Sequence, residues 1–192
     1  MKMNIDNSTG NADGWRSSRS FHTHGLMTVV LLLAMLVVGC SVLSVTADEV
    51  DADTYGDYTY TASDGKATIT GYSGSGGNIT TPSNIDGYNV TAIGERAFSN
   101  CTGLKEITIP SSVTTIDDFA FYNCTGLETV TFENGSKLTS IGVNAFSSCE
   151  GLTGITIPES VTSIGEGAFK SCEKLTSIIT LSQFQTLYFE RF

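Results

Sequence analysis

The chain is 192 residues long, which leaves room for one ordinary domain or two very small ones. Acids outnumber bases 20 to 10, and a net charge of −10 repels phosphate backbones, which excludes nucleic acid as a partner. Apolar residues make up 40% and are spread along the chain, so global disorder is excluded as well.

Residues 1–24 form a polar N-terminal tail holding Lys2, Arg16 and Arg19 against Asp6 and Asp13. Residues 25–47 then run without a charge, and their densest apolar part, residues 26–38, has the length of a secretory h-region. The whole uncharged stretch is also long enough to span a bilayer as a helix. Asp48, Glu49, Asp51, Asp53 and Asp57 follow, with no base before Lys66. This asymmetry keeps the N-terminal tail in the cytoplasm and exports everything after Ala47. Three fates of the segment stay open. Val45-Thr46-Ala47 resembles a cleavage site, Val37-Val38-Gly39-Cys40 resembles a bacterial lipobox, and an uncleaved signal anchor is the third. The exported part is thus expected at the cell surface, membrane-anchored through this segment or secreted.

Residues 48–57 read as an acidic linker. Asp51-x-Asp53-x-x-Gly56 begins like a calcium loop, but Tyr55 stands where a carboxylate or Asn is needed and Ala62 where the bidentate Glu belongs. Residues 58–89 read as a small β cap and a degenerate first coil. Tyr58-Thr59-Tyr60 and Ala67 to Tyr72 flank Asp64-Gly65, a hairpin signal. Asn78-Ile79-Thr80-Thr81-Pro82 and Ile85-Asp86-Gly87-Tyr88 then form the imperfect coil.

Residues 90–179 repeat four times. Cys101, Cys124, Cys149 and Cys172 are 23, 25 and 23 residues apart, and Ile93, Ile116, Ile141 and Ile164 keep the same spacings. So do Ala97-Phe98, Ala120-Phe121, Ala145-Phe146 and Ala168-Phe169. The two extra residues of the second unit fall at Glu133-Asn134-Gly135-Ser136, a turn sequence. The consensus is V-T-x-I-G-x-x-A-F-x-x-C-x-x-L-x-x-I-x-I-P. L-x-x-I-x-I-P alternates apolar residues on one face of a short strand ended by proline, and V-T-x-I-G does the same on a shorter one. The stretch around Ala-Phe is too short for a helix and is expected to make one helical turn. A single coil buries about 7 side chains worth ~1.5–3 kcal/mol each, while ordering its backbone costs ~1–2 kcal/mol per residue. Only stacking on neighbours reverses that balance.

These columns resemble the leucine-rich repeats of the BspA-like type, found in exported proteins of bacteria, archaea and some parasitic protists. The resemblance covers roughly residues 55–179. It implies an α/β-type solenoid dominated by short parallel strands, wound as a right-handed superhelix with a parallel sheet along its concave side. It implies the N-terminal β-hairpin as a cap and the apolar segment as a signal or anchor helix. Family members of known role act in adhesion, without a cofactor. Residues 180–192 depart from the pattern. They lack the expected proline and crowd apolar residues, as an apolar cap over the last coil or as the mark of truncation from a longer array.

The remaining patterns give little chemistry. His22 and His24 both precede the export segment, no Ser or Cys has a base nearby in sequence, and no Gly-rich phosphate loop opens a helix, so no enzyme, metal or cofactor is expected. Coils stack about 4.8 Å apart with parallel Cβ vectors, whereas a disulfide needs Cβ atoms about 3.8 Å apart, so the repeat cysteines read as free, buried fillers. Asp117-Asp118 reads as a solvated turn. Asn78, Asn89, Asn100, Asn123 and Asn134 begin N-x-S/T sequons.

The outward strand positions carry the candidate site. With Leu104, Ile107 and Ile109 facing in, Glu106 and Thr108 face out; their equivalents are Thr129 and Thr131, Gly154 and Thr156, and Ser177 and Ile179. This flat face, rich in Thr, suits contact with an extracellular protein or glycan, with Glu106, Thr108, Thr129, Thr131, Thr156 and Ser177 as the contact residues. β-Branched Thr also suits any solvated strand. The alternatives are therefore an adhesive binding module and a structural spacer, or fragment of a longer surface protein, with no ligand of its own.

Overall fold

The computed structural model describes residues 52–180; the apolar segment 25–47 and the stretch after residue 180 lie outside the described residues. Strands β1 (Asp53–Tyr55), β2 (Tyr58–Ser63) and β3 (Lys66–Tyr72) form an antiparallel meander, with Asp64 and Gly65 at its second turn, both at positive φ. The chain then alternates between two sheets through β4 (Gly77–Thr80), β5 (Asn84–Ile85), β6 (Tyr88–Ile93), β7 (Leu104–Ile109), β8 (Thr115–Ile116), β9 (Thr129–Phe132), β10 (Ser140–Ile141), β11 (Gly154–Ile157), β12 (Ser163–Ile164) and β13 (Ser177–Thr180). Sheet 1 has the order β1-β2-β3-β6-β8-β10-β12, with β5 paired to β6. Sheet 2 has the order β13-β11-β9-β7-β4 and is parallel throughout.

The result is a parallel β-solenoid of about five turns. Its repeat columns become ladders: Ile93, Ile116, Ile141 and Ile164 pair in sequence across sheet 1. Phe98, Phe121, Phe146 and Phe169 stack with ring centroids 5.0, 5.0 and 5.5 Å apart and planes within 14°. The meander joins this column, because Tyr72 lies 5.2 Å from Phe98. Thr114, Thr139 and Thr162 each donate a side-chain hydrogen bond to a main-chain carbonyl of the preceding coil, at 3.0, 3.0 and 3.1 Å. Hydroxyls at these positions thus extend the backbone ladder, at the half-buried Thr114 and at the exposed Thr139 and Thr162 alike.

No helix occurs among the described residues, so the α component implied by the resemblance is absent there. The stretch around each Ala-Phe pair is not the expected helical turn. Its alternate N–H groups point at the next coil: those of Arg96, Phe98 and Asn100 donate to the carbonyls of Asp118, Ala120 and Tyr122. The intervening ones close short turns, as from Ala97 to Gly94 and from Ser99 to Arg96. A helix would send all of them back along its own axis and leave the coils unbonded on this side. The route is set by left-handed residues at two repeat positions, Arg96, Phe119, Asn144 and Gly167 before the Ala, and Asn100, Asn123, Ser148 and Ser171 before the Cys. Asn tolerates that conformation, and the amide of Asn123 donates to the side chain of Asn100 at 2.8 Å.

Cys101, Cys124, Cys149 and Cys172 are free as expected, but only the last three are buried; Cys101, in the first full coil, is half-buried. The thiols of Cys124, Cys149 and Cys172 donate to the carbonyls of Phe98, Phe121 and Phe146, at 3.0, 3.2 and 3.1 Å. Each filler thereby gains a polar partner inside the core. Burial pushes the thiols of Cys101 and Cys172 up to about 11. Cys149 is also raised, first by its hydrogen-bonding contact with Cys124 and then by burial.

Candidate functional site

Alternation along sheet 2 sorts its side chains as expected from the sequence. Leu104, Ile107, Ile109, Val130, Ile155 and Ile157 are buried. Glu106, Thr129, Thr131, Thr156 and Ser177 are exposed and Thr108 is half-buried, all on the opposite face. Register places them in two rows. Glu106 lies opposite Thr129, Thr129 opposite Gly154, and Gly154 opposite Ser177. In the second row Thr108 lies opposite Thr131, and Thr156 opposite Ile179, which is 54% exposed. At Gly154 a Cβ would come within 2.8 Å of the Ser177 hydroxyl, so the first row dips there.

The face is not uniformly flat. β9 and β11 pair only at Thr129 with Gly154 and at Val130 with Ile155. Beyond them Thr131 and Phe132 stay paired with Thr108 and Ile109 of β7, and the extra residues of the second repeat then loop out at 133–136. The loop is held by Glu133, whose N–H donates to Ile109 at 3.0 Å and whose carboxylate accepts from the N–H of Ser111 at 3.0 Å. The Ser136 N–H closes a turn onto the Glu133 carbonyl at 3.1 Å, with Gly135 at a φ of 73°. The Ser160 hydroxyl binds the Ser136 carbonyl from the next coil. Between loop and sheet lies an open groove of about 720 Å3, whose lining includes Thr131, Phe132, Glu133, Thr156, Glu159 and Ile179.

The structure thus brings together Thr129, Thr131, Thr156 and Ser177 along this groove, with Glu106 and Thr108 on the neighbouring strand outside its lining. Phe132, Glu133, Pro158 and Glu159 join the site, and sequence reading left them out. The signal was available, since the 25-residue spacing marks the place where the coils cannot stay in register. Hydroxyls that both donate and accept, flanked by an aromatic ring and two carboxylates, can bind a polar partner. Among the described residues, no group of three or more His, Cys, Asp or Glu side chains could hold a metal ion.

Asp117 and Asp118, expected as a solvated turn, are exposed, but Asp118 also works structurally. Its carboxylate accepts the Val143 N–H at 2.7 Å and its carbonyl accepts the Arg96 N–H at 3.2 Å. Burial, followed by the nearby charges of Asp118 and Glu95, raises the Asp117 carboxyl.

A family model described as a BspA type leucine rich repeat region matches residues 75–192 in six copies. Among solved structures, a leucine rich cell surface protein from Faecalibacterium prausnitzii is similar at 34% identity and a TM-score of 0.57, over 69% of this chain and 43% of that one. A leucine-rich repeat protein from Bacteroides capillosus is 32% identical at a TM-score of 0.60, over 67% and 97% of the two chains. The leucine rich repeat protein of T. pallidum is 30% identical at a TM-score of 0.53, over 67% and 71%. A comparison with the curated proteins finds no match.

Proposed function

The chain belongs to the BspA-type leucine-rich repeat family, and we propose that it acts as a noncatalytic binding module at the cell surface, adhering to an extracellular protein or glycan through the outer face of sheet 2. The observation that carries this reading is the set of outward hydroxyls of sheet 2, those of Thr129, Thr131, Thr156 and Ser177, that line the groove beside the Glu133–Ser136 loop. The strands hold these side chains on a rigid backbone, about 4.8 Å apart where neighbours pair, as Thr108 and Thr131 do, so a partner with several polar groups meets several donors and acceptors at once. Each contact is weak, and many chains on one surface supply strength through avidity. Residues 25–47 carry the repeats out of the cell in this reading, and no cofactor takes part.

The test is binding of the chain to immobilised matrix proteins, mucins and envelope glycans, compared with a Thr131→Lys, Thr156→Lys double variant. Both residues are exposed, so the double variant should melt as the parent does while losing its binding. Binding that survives the change places the site elsewhere. Failure to bind any of these polymers overturns the adhesive reading and leaves a spacer.

A further inference from the structure

The loop that walls the groove contains the chain's single Asn-Gly step, Asn134-Gly135. The geometry points to Asn134 as a site of spontaneous deamidation, a covalent change that replaces a neutral amide at the groove rim with a carboxylate. Ring closure needs a following backbone N–H free to attack, a side-chain amide free to turn toward it, and an approach without a Cβ in the way. All three conditions are met here. Neither the Gly135 N–H nor the Asn134 side chain has a hydrogen-bond partner among the described residues. Asn134 is exposed, and even a Cβ built on Gly135 would meet nothing within 4 Å. The loop is anchored at Glu133 and Ser136, on either side of this step, and among the described residues only the Ser136 N–H to Glu133 bond spans it.

A second step in the chain supplies the contrast. Asp86-Gly87 could close the same ring through its carboxyl, but both reacting groups are engaged. The Gly87 N–H donates to the side chain of Asn84 at 3.0 Å, and the Asp86 carboxylate accepts from the Tyr60 hydroxyl at 2.8 Å. Tyr60 is itself only 1% exposed, so that bond does not exchange freely with water.

In the reaction the Gly135 nitrogen yields its proton to a solvent base and bonds to Cγ of Asn134. The bond from Cγ to the amide nitrogen breaks, and that nitrogen takes up a proton and leaves as ammonia. Water then adds to either carbonyl of the five-membered imide and breaks one of its ring C–N bonds. The product is aspartate, or isoaspartate when the main chain is rerouted through the side-chain carbon. In sum, an amide and water give an acid and ammonia, with no change of oxidation state. The rim beside Glu133 gains one negative charge.

The full chain, incubated in mildly alkaline buffer, should convert progressively to a form retained longer on anion exchange. Fragmentation of its peptides should place aspartate and isoaspartate at position 134 while Asp86 stays unchanged. Asn134→Gln should abolish the late-eluting form, since the longer side chain closes a six-membered ring far more slowly, and an unchanged melting curve would show that the loop still folds. The inference is overturned if position 134 keeps its amide while other asparagines convert. It is equally overturned if the late-eluting form persists undiminished in Asn134→Gln.

Discussion

Truncating the phenylalanine column one ring at a time tests the stacking architecture. Phe121 is fully buried and has a ring on each face, Phe98 and Phe146, both at 5.0 Å. Phe121→Ala removes that burial and leaves a cavity between rigid coils, a loss of about 3–5 kcal/mol. Phe169 is only half-buried and stacks on Phe146 alone among the described rings, at 5.5 Å, so Phe169→Ala should cost about 2 kcal/mol. Phe98 begins the repeat column, yet it is fully buried, with Tyr72 at 5.2 Å and Tyr58 at 6.4 Å covering the side away from Phe121. Phe98→Ala should therefore resemble Phe121→Ala and not Phe169→Ala. Urea denaturation followed by circular dichroism reads the three differences as midpoint shifts at constant slope. Equal losses at Phe121 and Phe169 would refute the argument from coil neighbours, and a small loss at Phe98 would refute the role assigned to the tyrosines.

Two other measurements follow from the core. Thr81 occupies the column of Ile109 and its hydroxyl is buried without a hydrogen-bond partner, so Thr81→Val should raise stability by about 1 kcal/mol in the same urea experiment. The repeat thiols should react with alkylating reagents only slowly in the native protein, and Cys101, Cys124, Cys149 and Cys172 should all titrate as free after denaturation without reductant. Because the fold raises Cys101 and Cys172 from 9.0 to about 11, it favours their neutral forms. The stability tied to them is present in full below pH 9 and falls as pH rises from there toward 11, which a series of melts across that range would show.

Much of the fold was legible because the repeat imposes one solution on every coil. Alternation in L-x-x-I-x-I-P by itself places Ile107 and Ile109 inside and Glu106 and Thr108 outside. The Ala-Phe stretch was misjudged because its local pattern allows a helical turn. What decides against it is the neighbouring coil, whose carbonyls at Asp118, Ala120 and Tyr122 capture alternate N–H groups of the coil before it. The dual role of Asp118 escaped for the same reason, since Val143 is distant in sequence and adjacent only through stacking.

The sequence by itself determined the period, the inward columns, the free cysteines and the two-residue interruption at Glu133-Asn134-Gly135-Ser136, since each follows from spacing and side-chain size. Tertiary structure alone decided where that interruption leads. The extra residues end the pairing of β9 with β11 after Val130 and Ile155 and open the groove between Thr131, Phe132 and Glu159. It also decided that Tyr58 and Tyr72 complete the ring column at Phe98. Both outcomes depend on contacts between elements whose relative placement no local pattern encodes, because a strand's period states which way a side chain points and not what it will meet there.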